Sequence, residues 1–421
     1  LHAERTAFRV RPIERTPDRI PDRTRDRAMI PLLALSIAVR MVGLPGMPLD
    51  GPEAMPIAIR GAAVDSRALL LRMQEPFAEN PVRAEWPYEG VYRVRGRIPY
   101  GYRVGGTSIV ARALLEAPGY ATDPERRDAV ARALEFVLGA IREPLMSPDP
   151  AIYKAGYDVR GWGHCYGLRF LVALERANAI PTDRDTLVRE AIRWYVRALE
   201  STEIPEVGGW NYARDPGLET PCRSSPFMTA SCLFALYEAK AAGYEVSDAV
   251  LDRALDLLER ARTESGYVDY ATMGPARDRP DQIPGAIGRM VATESALALA
   301  GRSDAKRIAF ALDRFLEHWP ELEKRRRKTG THVAPFGVAP YYFFYGFHHA
   351  LLAVELLPKA DRAAYRERLQ AILFSIREDD LTWNDRVFPR SANFGTAMTI
   401  SGLLAPWSER PIGRTGPHPN T

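Results

Sequence analysis

Residues 106–117 read GTSIVARALLEA and residues 394–405 read FGTAMTISGLLA. Both are runs of small and apolar residues with too little charge to offer water a face. As helices they are apolar nearly all round and have to be enclosed. Four more of the same kind lie between them: HCYGLRFLVALERA (164–177), FMTASCLFALYEA (227–239), RMVATESALALA (289–300) and GFHHALLAVELL (346–357). Their last residues, Ala117, Ala177, Ala239, Ala300, Leu357 and Ala405, stand 60, 62, 61, 57 and 48 residues apart. Spacing this regular is the mark of an internal repeat whose units cannot bury their apolar faces alone.

Helices of a second kind fill the intervals. Residues 123–143 carry Val130, Leu134, Val137 and Ile141 after a Thr122-Asp123-Pro124-Glu125 start, which supplies a cap, a first-turn proline and an acid. Residues 183–201 place Leu187, Ala191, Trp194 and Ala198 on one face, and 248–262 do the same with Leu251, Leu255, Leu258 and Ala261. Residues 304–319 use Ile308, Leu312, Phe315 and Trp319; 361–376 use Tyr365, Leu369, Ile372 and Ile376; 67–76 supply the sixth. The opposite faces are rich in Arg, Asp and Glu, so each helix has one buried and one wet side. Six enclosed helices alternating with six enclosing ones predict an all-α fold, an α6/α6 toroid with an inner and an outer ring. No strand pattern of useful length competes.

The chain has 421 residues, 46% of them hydrophobic and 26% charged, which excludes a disordered tail, a collagen-like repeat and a many-span membrane protein. Its three cysteines, Cys165, Cys222 and Cys232, form neither a disulfide framework nor a CxxC metal ribbon. The net charge of +4 sits mainly in residues 1–27, where eight arginines face five acids, so the folded part is nearly neutral and no nucleic-acid partner is expected. The run Lys324-Arg325-Arg326-Arg327-Lys328 reads as solvated charge near a helix C-terminus. Residues 1–60 read as a proline-rich leader, 61–406 as the toroid and 407–421 as a disordered tail. Within the leader, the uncharged segment 28–39 follows Arg23, Arg25 and Arg27 as the apolar core of a secretory signal does, and it is too short to be a transmembrane helix. Met29 offers an alternative start. Arg40 and the lack of a small-residue cleavage site weigh equally against export, so an exported and a cytoplasmic location both stand. Oligomeric state stays open.

The unusual side chains gather in the turns before the enclosed helices: Trp86-Pro-Tyr88-Glu89, Trp162-Gly-His164-Cys165-Tyr166, Gly208-Gly-Trp210-Asn-Tyr212, Gly266-Tyr267-Val-Asp269-Tyr270, Tyr341-Tyr342-Phe-Phe-Tyr345, and Trp383-Asn-Asp385-Arg386. In a toroid all of these turns emerge at one end, beside the positive ends of the inner helices. Trp162, Trp210, Tyr212, Tyr267, Tyr270, Tyr342, Tyr345 and Trp383 are therefore the expected ligand-binding residues, suited to an apolar chain, a carbocation or a sugar face.

The repeat architecture over roughly residues 80–405, with Gly208-Gly209-Trp210 ahead of an inner helix and the Gly266-Tyr267 and Trp383-Asn384-Asp385 turns, resembles the superfamily of terpenoid (squalene-type) cyclases and protein prenyltransferase β subunits, and is similar to proteins with prenyltransferase/squalene-oxidase repeats. The resemblance implies an α/α toroid with a central cavity open at the turn-bearing end. Both catalytic signatures of that superfamily are absent. The nearest text to the Asp-x-Asp-Asp acid is Arg377-Glu378-Asp379-Asp380, and no Asp-x-Cys occurs to hold zinc, so neither a metal nor another cofactor is expected.

Four residues remain as catalytic candidates. His348, followed by His349 on an inner helix, suits a general base. Glu294 is a carboxylate inside an otherwise small and apolar helix and needs a partner or a raised pKa. Asp269 and Asp385 occupy corresponding turns as a carboxylate pair or as helix caps. A Cys–His nucleophile at His164-Cys165, near Asp158, is disfavoured because neighbours on one helix cannot readily hydrogen-bond. Three readings follow: a protein binding or transforming an isoprenoid-like or other apolar ligand in a central cavity, a carbohydrate-active toroid of the polysaccharide lyase or glycoside hydrolase kind, or a recognition scaffold without chemistry. In each catalytic case the partner is a small-molecule or chain-like ligand.

Overall fold

The computed structural model describes residues 55–77, 80, 82–149, 159–212 and 218–407; residues 1–54 of the leader with its 28–39 segment, Asp158 and the tail beyond 407 lie outside the described residues. Among the described residues stand twelve α-helices: α1 (Ile57–Arg72), α2 (Tyr100–Glu116), α3 (Pro124–Ala140), α4 (Arg160–Arg176), α5 (Asp185–Thr202), α6 (Pro226–Ala241), α7 (Asp248–Ala261), α8 (Ile287–Leu299), α9 (Ala305–Glu323), α10 (Tyr342–Val354), α11 (Lys359–Ser375) and α12 (Ser391–Leu403). The only strands among them form a two-stranded ribbon, Glu75–Pro76 against Ala84–Glu85.

Burial separates the helices into the two expected kinds. Every residue of α10 is buried, as is every residue of α6 from Pro226 to Leu236. By contrast α7 buries one stripe, with Leu251, Leu255, Leu258 and Ala261 on it, and keeps its acids and arginines outward. The even-numbered helices form the inner ring: α2 packs on α4, α4 on α6, α6 on α8, α8 on α10, α10 on α12, and α12 returns to α2. The helices α3, α5, α7, α9 and α11 each lie against the inner helix before them, while α1 lies on α12 and so covers the seam. The toroid read from the sequence is the fold of this region.

Helix starts follow the local chemistry. Asp123 accepts the Arg126 N–H at 3.2 Å ahead of Pro124, and Asp304 accepts the Arg307 N–H at 2.9 Å, each satisfying a backbone donor that the first turn leaves open. Two expectations are corrected. The first outer helix begins at Ile57, ten residues before the expected 67. On α5 the buried stripe is Val188, Ala191, Ile192, Tyr195 and Leu199, while Leu187 is exposed. Two apolar stripes compete on that helix. The one carrying Tyr195 wins because its ring lies against Gly167 and its hydroxyl donates to the Val137 carbonyl at 3.3 Å.

One device ties inner to outer ring at three places. The indole N–H of Trp86 donates to the Leu70 carbonyl at 2.7 Å, that of Trp210 to Leu199 at 2.8 Å, and that of Trp383 to Leu373 at 2.8 Å. Each acceptor is a carbonyl in the last turn of an outer helix, where no full set of i+4 donors exists; Leu70 also accepts from the Met73 N–H and Leu199 from the Thr202 hydroxyl. The backbone N–H of the same tryptophan donates to a threonine hydroxyl on the following inner helix: Trp86 to Thr107 (2.9 Å), Trp210 to Thr229 (3.0 Å) and Trp383 to Thr396 (3.1 Å). The inner helix approaches the Trp backbone closely, and at Gly395 an added Cβ would meet the Trp383 carbonyl oxygen at 2.2 Å. A Trp210→Phe substitution keeps most of the volume and removes the shorter of two hydrogen bonds to the buried Leu199 carbonyl, leaving the Thr202 hydroxyl at 3.2 Å. It is expected to lower unfolding stability by about 1–3 kcal/mol, read as a lower denaturant midpoint at unchanged slope.

Candidate functional site

The inner helices bring their first turns together at the turn-bearing end. Tyr102 of α2 stands edge-on to Trp162 of α4 at 5.5 Å between centroids, and Trp162 lies 6.0 Å from Phe394 of α12. Phe227 of α6 lies 5.8 Å from Tyr342 of α10, over which Arg289 of α8 places its guanidinium at 5.7 Å. Trp162–Tyr166 and Tyr342–Tyr345, read from the sequence as turn residues, are in fact the first turns of α4 and α10.

At the seam, the turn before α2 meets the turn before α12. The Tyr88 hydroxyl donates to Asp385 Oδ2 at 3.1 Å and accepts from Arg386 Nε at 3.0 Å. Asp385 and Arg386 are completely buried and Tyr88 nearly so. Burial pushes the Asp385 carboxyl up to about 7, with the Arg386 charge and the Tyr88 hydrogen bond pulling the other way. Burial likewise holds the Tyr88 phenol far above its ordinary value, so it stays protonated. Three polar atoms at this point have no hydrogen-bond partner: Asp385 Oδ1, Arg386 Nη2 and Asn393 Oδ1. Such atoms occur singly elsewhere in the described core, as at Thr293 and Thr399, and here three of them fall at one point.

The basic run after α9 braces this turn. Arg326 and Arg327 both bind Glu378, at 2.5 and 2.7 Å, and the Arg327 backbone N–H donates to the Asp385 carbonyl at 2.9 Å. Arg326 is therefore a structural clamp, while the Arg327 side chain binds Glu378 from the exposed surface, as the solvated reading of the run expects. Arg377-Glu378-Asp379-Asp380 is similarly committed: Arg377 covers the Trp383 ring at 4.7 Å, Glu378 holds the clamp, and Asp380 accepts from Thr382.

Beside the seam lies a tyrosine hub. His332 Nε2 is 3.0 Å from the Tyr342 hydroxyl and 3.3 Å from that of Tyr341, whose own hydroxyl is 3.5 Å from that of Tyr212. Tyr270 stands edge-on to His332 at 4.9 Å. Desolvation against these rings, with the charges of Arg289 and Arg386, lowers the His332 pKa and favours the neutral imidazole. Arg386 covers the Tyr341 ring at 5.8 Å, which joins the hub to the seam.

The other expected residues fall into three groups. Tyr212, Tyr270 and Tyr342 belong to the hub. Trp162 and Tyr345 are buried in the axial packing, Tyr345 donating to the Phe227 carbonyl at 3.1 Å, and Trp210 and Trp383 are the wedges between rings. Asp269 is half-buried and accepts from the Tyr270 N–H at 3.0 Å and, at 3.4 Å, from the hydroxyl of buried Tyr267. Glu294 faces the outer layer, paired with Arg262 at 3.0 Å and accepting from Ser303, beside a groove of about 370 Å³ with Met290 and Phe310. His348 is buried between α10 and α12, with Nδ1 3.1 Å from the Met398 carbonyl. The structure thus holds Asp385 at the seam on Tyr88, with Arg386 reaching Tyr341 of the hub, and keeps Glu294 in another layer. Among the described residues no three His, Cys, Asp or Glu side chains group as metal ligands.

Arg289 and His332 were not among the sequence candidates. Arg289 had the same signal as Glu294, a charge inside an enclosed helix. His332 lies in a loop with no pattern to mark it.

Because burial raises the Asp385 pKa from 3.8 to about 7, its contribution to stability is complete below about pH 4 and is lost as pH rises to about 7. That displacement is worth roughly 4 kcal/mol against the ionised form. Asp385→Asn mimics the neutral acid and still accepts from Tyr88. Thermal and denaturant melts are expected to show the variant more stable than the parent at pH 8.5, with the difference closing below pH 4. An equal loss of stability at both pH values would contradict a buried neutral carboxyl.

No protein-family model and no curated protein sequence matches the chain. Solved structures do. A variant of the type II terpene cyclase MstE from Scytonema, in complex with geranylgeranyl dihydroxybenzoate, superposes with a TM-score of 0.52 at 14% identity, over 83% of this chain and 97% of that one. The Lin0763 protein from Listeria innocua matches at 0.50 and 12% identity, over 82% and 97%. The GH76A α-1,6-mannanase from Salegentibacter sp. HEL1_6 matches at 0.50 and 10%, over 83% and 99%. These likenesses establish a shared fold: the chain has the α/α toroid of the type II terpene cyclases, a fold also used by a mannanase.

Proposed function

We propose that the chain is a carbohydrate-active enzyme that cleaves glycosidic bonds at the turn-bearing end of the ring, with Asp385 as its general acid. The carrying observation is the buried Asp385 carboxyl, held by Tyr88 and pushed up to about 7. An acid of that strength is matched to proton exchange with oxygen near neutral pH, since general acid catalysis is most effective when the pKa lies near the working pH. The neutral His332 ring, hydrogen-bonded to Tyr341 and Tyr342, is the corresponding proton acceptor, and Tyr212, Tyr270 and Tyr342 supply stacking faces for sugar rings. Asp385 is fully buried, so substrate docking has to open the mouth around it.

The second reading, an isoprenoid-like ligand in the ring axis, is favoured by the aromatic first turns and by the fold shared with MstE. Against it, the axial rings of Trp162, Tyr166, Phe227, Tyr345 and Phe394 pack on their neighbours and are almost wholly buried.

Reducing-end release from a panel of neutral and acidic polysaccharides tests the proposal. Turnover of at least one is expected, falling about 10²–10⁴-fold in Asp385→Asn. The parent rate should decline as pH rises through about 7, where the acid loses its proton. Turnover of prenyl substrates with none of the polysaccharides cleaved would replace this reading with the second.

A further inference from the structure

We infer that the mouth of the ring holds an anionic group, a carboxylate or a phosphate, on the guanidiniums of Arg289 and Arg386. This deepens the proposed function, resting on the same mouth as ligand site while making no use of the acid. Arg386 is fully buried; it donates from Nε to Tyr88 and from Nη1 to the Gly330 carbonyl at 3.1 Å, and its Nη2 has no partner. Arg289, 6% exposed, donates only to backbone carbonyls, those of Gly285 at 3.0 Å and Val268 at 3.3–3.4 Å. Carbonyls satisfy donors and leave the charge itself uncompensated. Among the described residues no carboxylate lies within ion-pair distance of either guanidinium.

Three of the four other buried arginines show how this chain handles such charges, while Arg160 donates to the Ser147 carbonyl. Arg112 holds Glu238 and Glu116, Arg169 holds Glu238, and Arg126 holds Asp123, at 2.6–3.0 Å. A buried charge is strongly unfavourable unless paired. Two left without a counterion at one site mean that the counter-charge comes from outside. The surroundings match an anion as well. Each guanidinium packs on one ring of the Tyr341–Tyr342 pair, whose centroids are 4.6 Å apart, so the two charges flank one point. Asp385 accounts for one charge at most when ionised, and its carboxyl favours the protonated form up to about pH 7. Arginine forks bind carboxylate and phosphate in the same bidentate way, so the geometry names the anion and the ligand's source is left to titration.

Isothermal titration of the full chain at fixed ionic strength tests this, with pyrophosphate on one arm, a uronic-acid oligosaccharide on the other, and the neutral counterpart of that oligosaccharide as control. At least one anion is expected to bind 10-fold or more tighter than the neutral probe. Arg289→Gln and Arg386→Gln should each weaken it at least 10-fold, and Arg386→Lys, which keeps the charge and loses the fork, should weaken it less than Gln. Binding on the pyrophosphate arm alone identifies a phosphate-bearing ligand, and on the uronate arm alone an acidic sugar. Either anion should raise the melting temperature of the parent, a readout that survives if the Gln variants do not fold. Equal affinity for neutral and anionic probes, no binding on either arm, or full affinity in a folded Gln variant would overturn the inference. Asp385→Asn should bind the anion as well as the parent does, so loss of the acid and loss of the anion site are separable results.

Discussion

The Tyr88 hydroxyl, hydrogen-bonded to Asp385 and Arg386, joins parts of the chain 297 and 298 residues apart. Around it the same seam is crossed by Asn393 to the Pro87 carbonyl, by the ion pair of Arg390 with Glu75 and by that of Arg377 with Asp65. A ring of helices gains most of its contacts between neighbours in sequence, but its closure depends on these distant ones. The entropy of closing so long a loop grows only slowly with its length, so a handful of good contacts is enough to hold the seam. The candidate acid exists as a buried, perturbed group only once that closure has formed. Fold and site are thus one constraint: opening the seam hydrates Asp385 and returns its carboxyl to the ordinary range.

The same logic separates the two ends of the ring. Deep on the inner helices, Arg112, Arg169, Glu116 and Glu238 form a paired network, in which the arginines overcome burial and hold Glu238 well below the ordinary carboxylate range. Its charges answer one another and specify how α2, α4 and α6 fit together. At the mouth the polar groups are incompletely answered, with Asp385 Oδ1, Arg386 Nη2 and Asn393 Oδ1 all lacking partners. Under the proposed function these are the groups that a ligand completes.

The fold was legible because enclosure has a direct signature in composition. A helix with no wet face, such as α10, has to be surrounded, and a helix with one wet face, such as α7, is available to surround it. What periodicity could not resolve was the choice between two adjacent apolar stripes, as on α5, where Tyr195 and its contacts decided the matter. The site was legible in part for a related reason. Asp385 could be singled out because acids beside aromatics in a turn are unusual, and Glu294 because a charge in an enclosed helix is unusual. The two were physically different. Glu294 turns outward to Arg262 and Ser303, while Asp385 turns inward to a tyrosine and an arginine, and only the three-dimensional partner distinguishes a satisfied carboxylate from a perturbed one.

His332 shows where sequence reading ends. Its ring matters because Tyr341 and Tyr342, nine and ten residues later, turn their hydroxyls back toward it, and because Arg289 and Arg386 bias it toward neutrality. No spacing rule links a loop histidine to tyrosines at the start of a buried helix; the link is made by the way the loop folds over the mouth. Trp210 and Trp383 teach the converse. An aromatic in a glycine-rich turn before an inner helix looks exposed to a ligand, yet its indole N–H is bound to a last-turn carbonyl of the outer helix behind it. Helix ends in a double ring leave such carbonyls in every unit, so a buried donor at that place is required for the architecture before any ligand is considered. The tyrosines of the hub differ in this respect, since their hydroxyls bond to His332 and to one another instead of to a helix end.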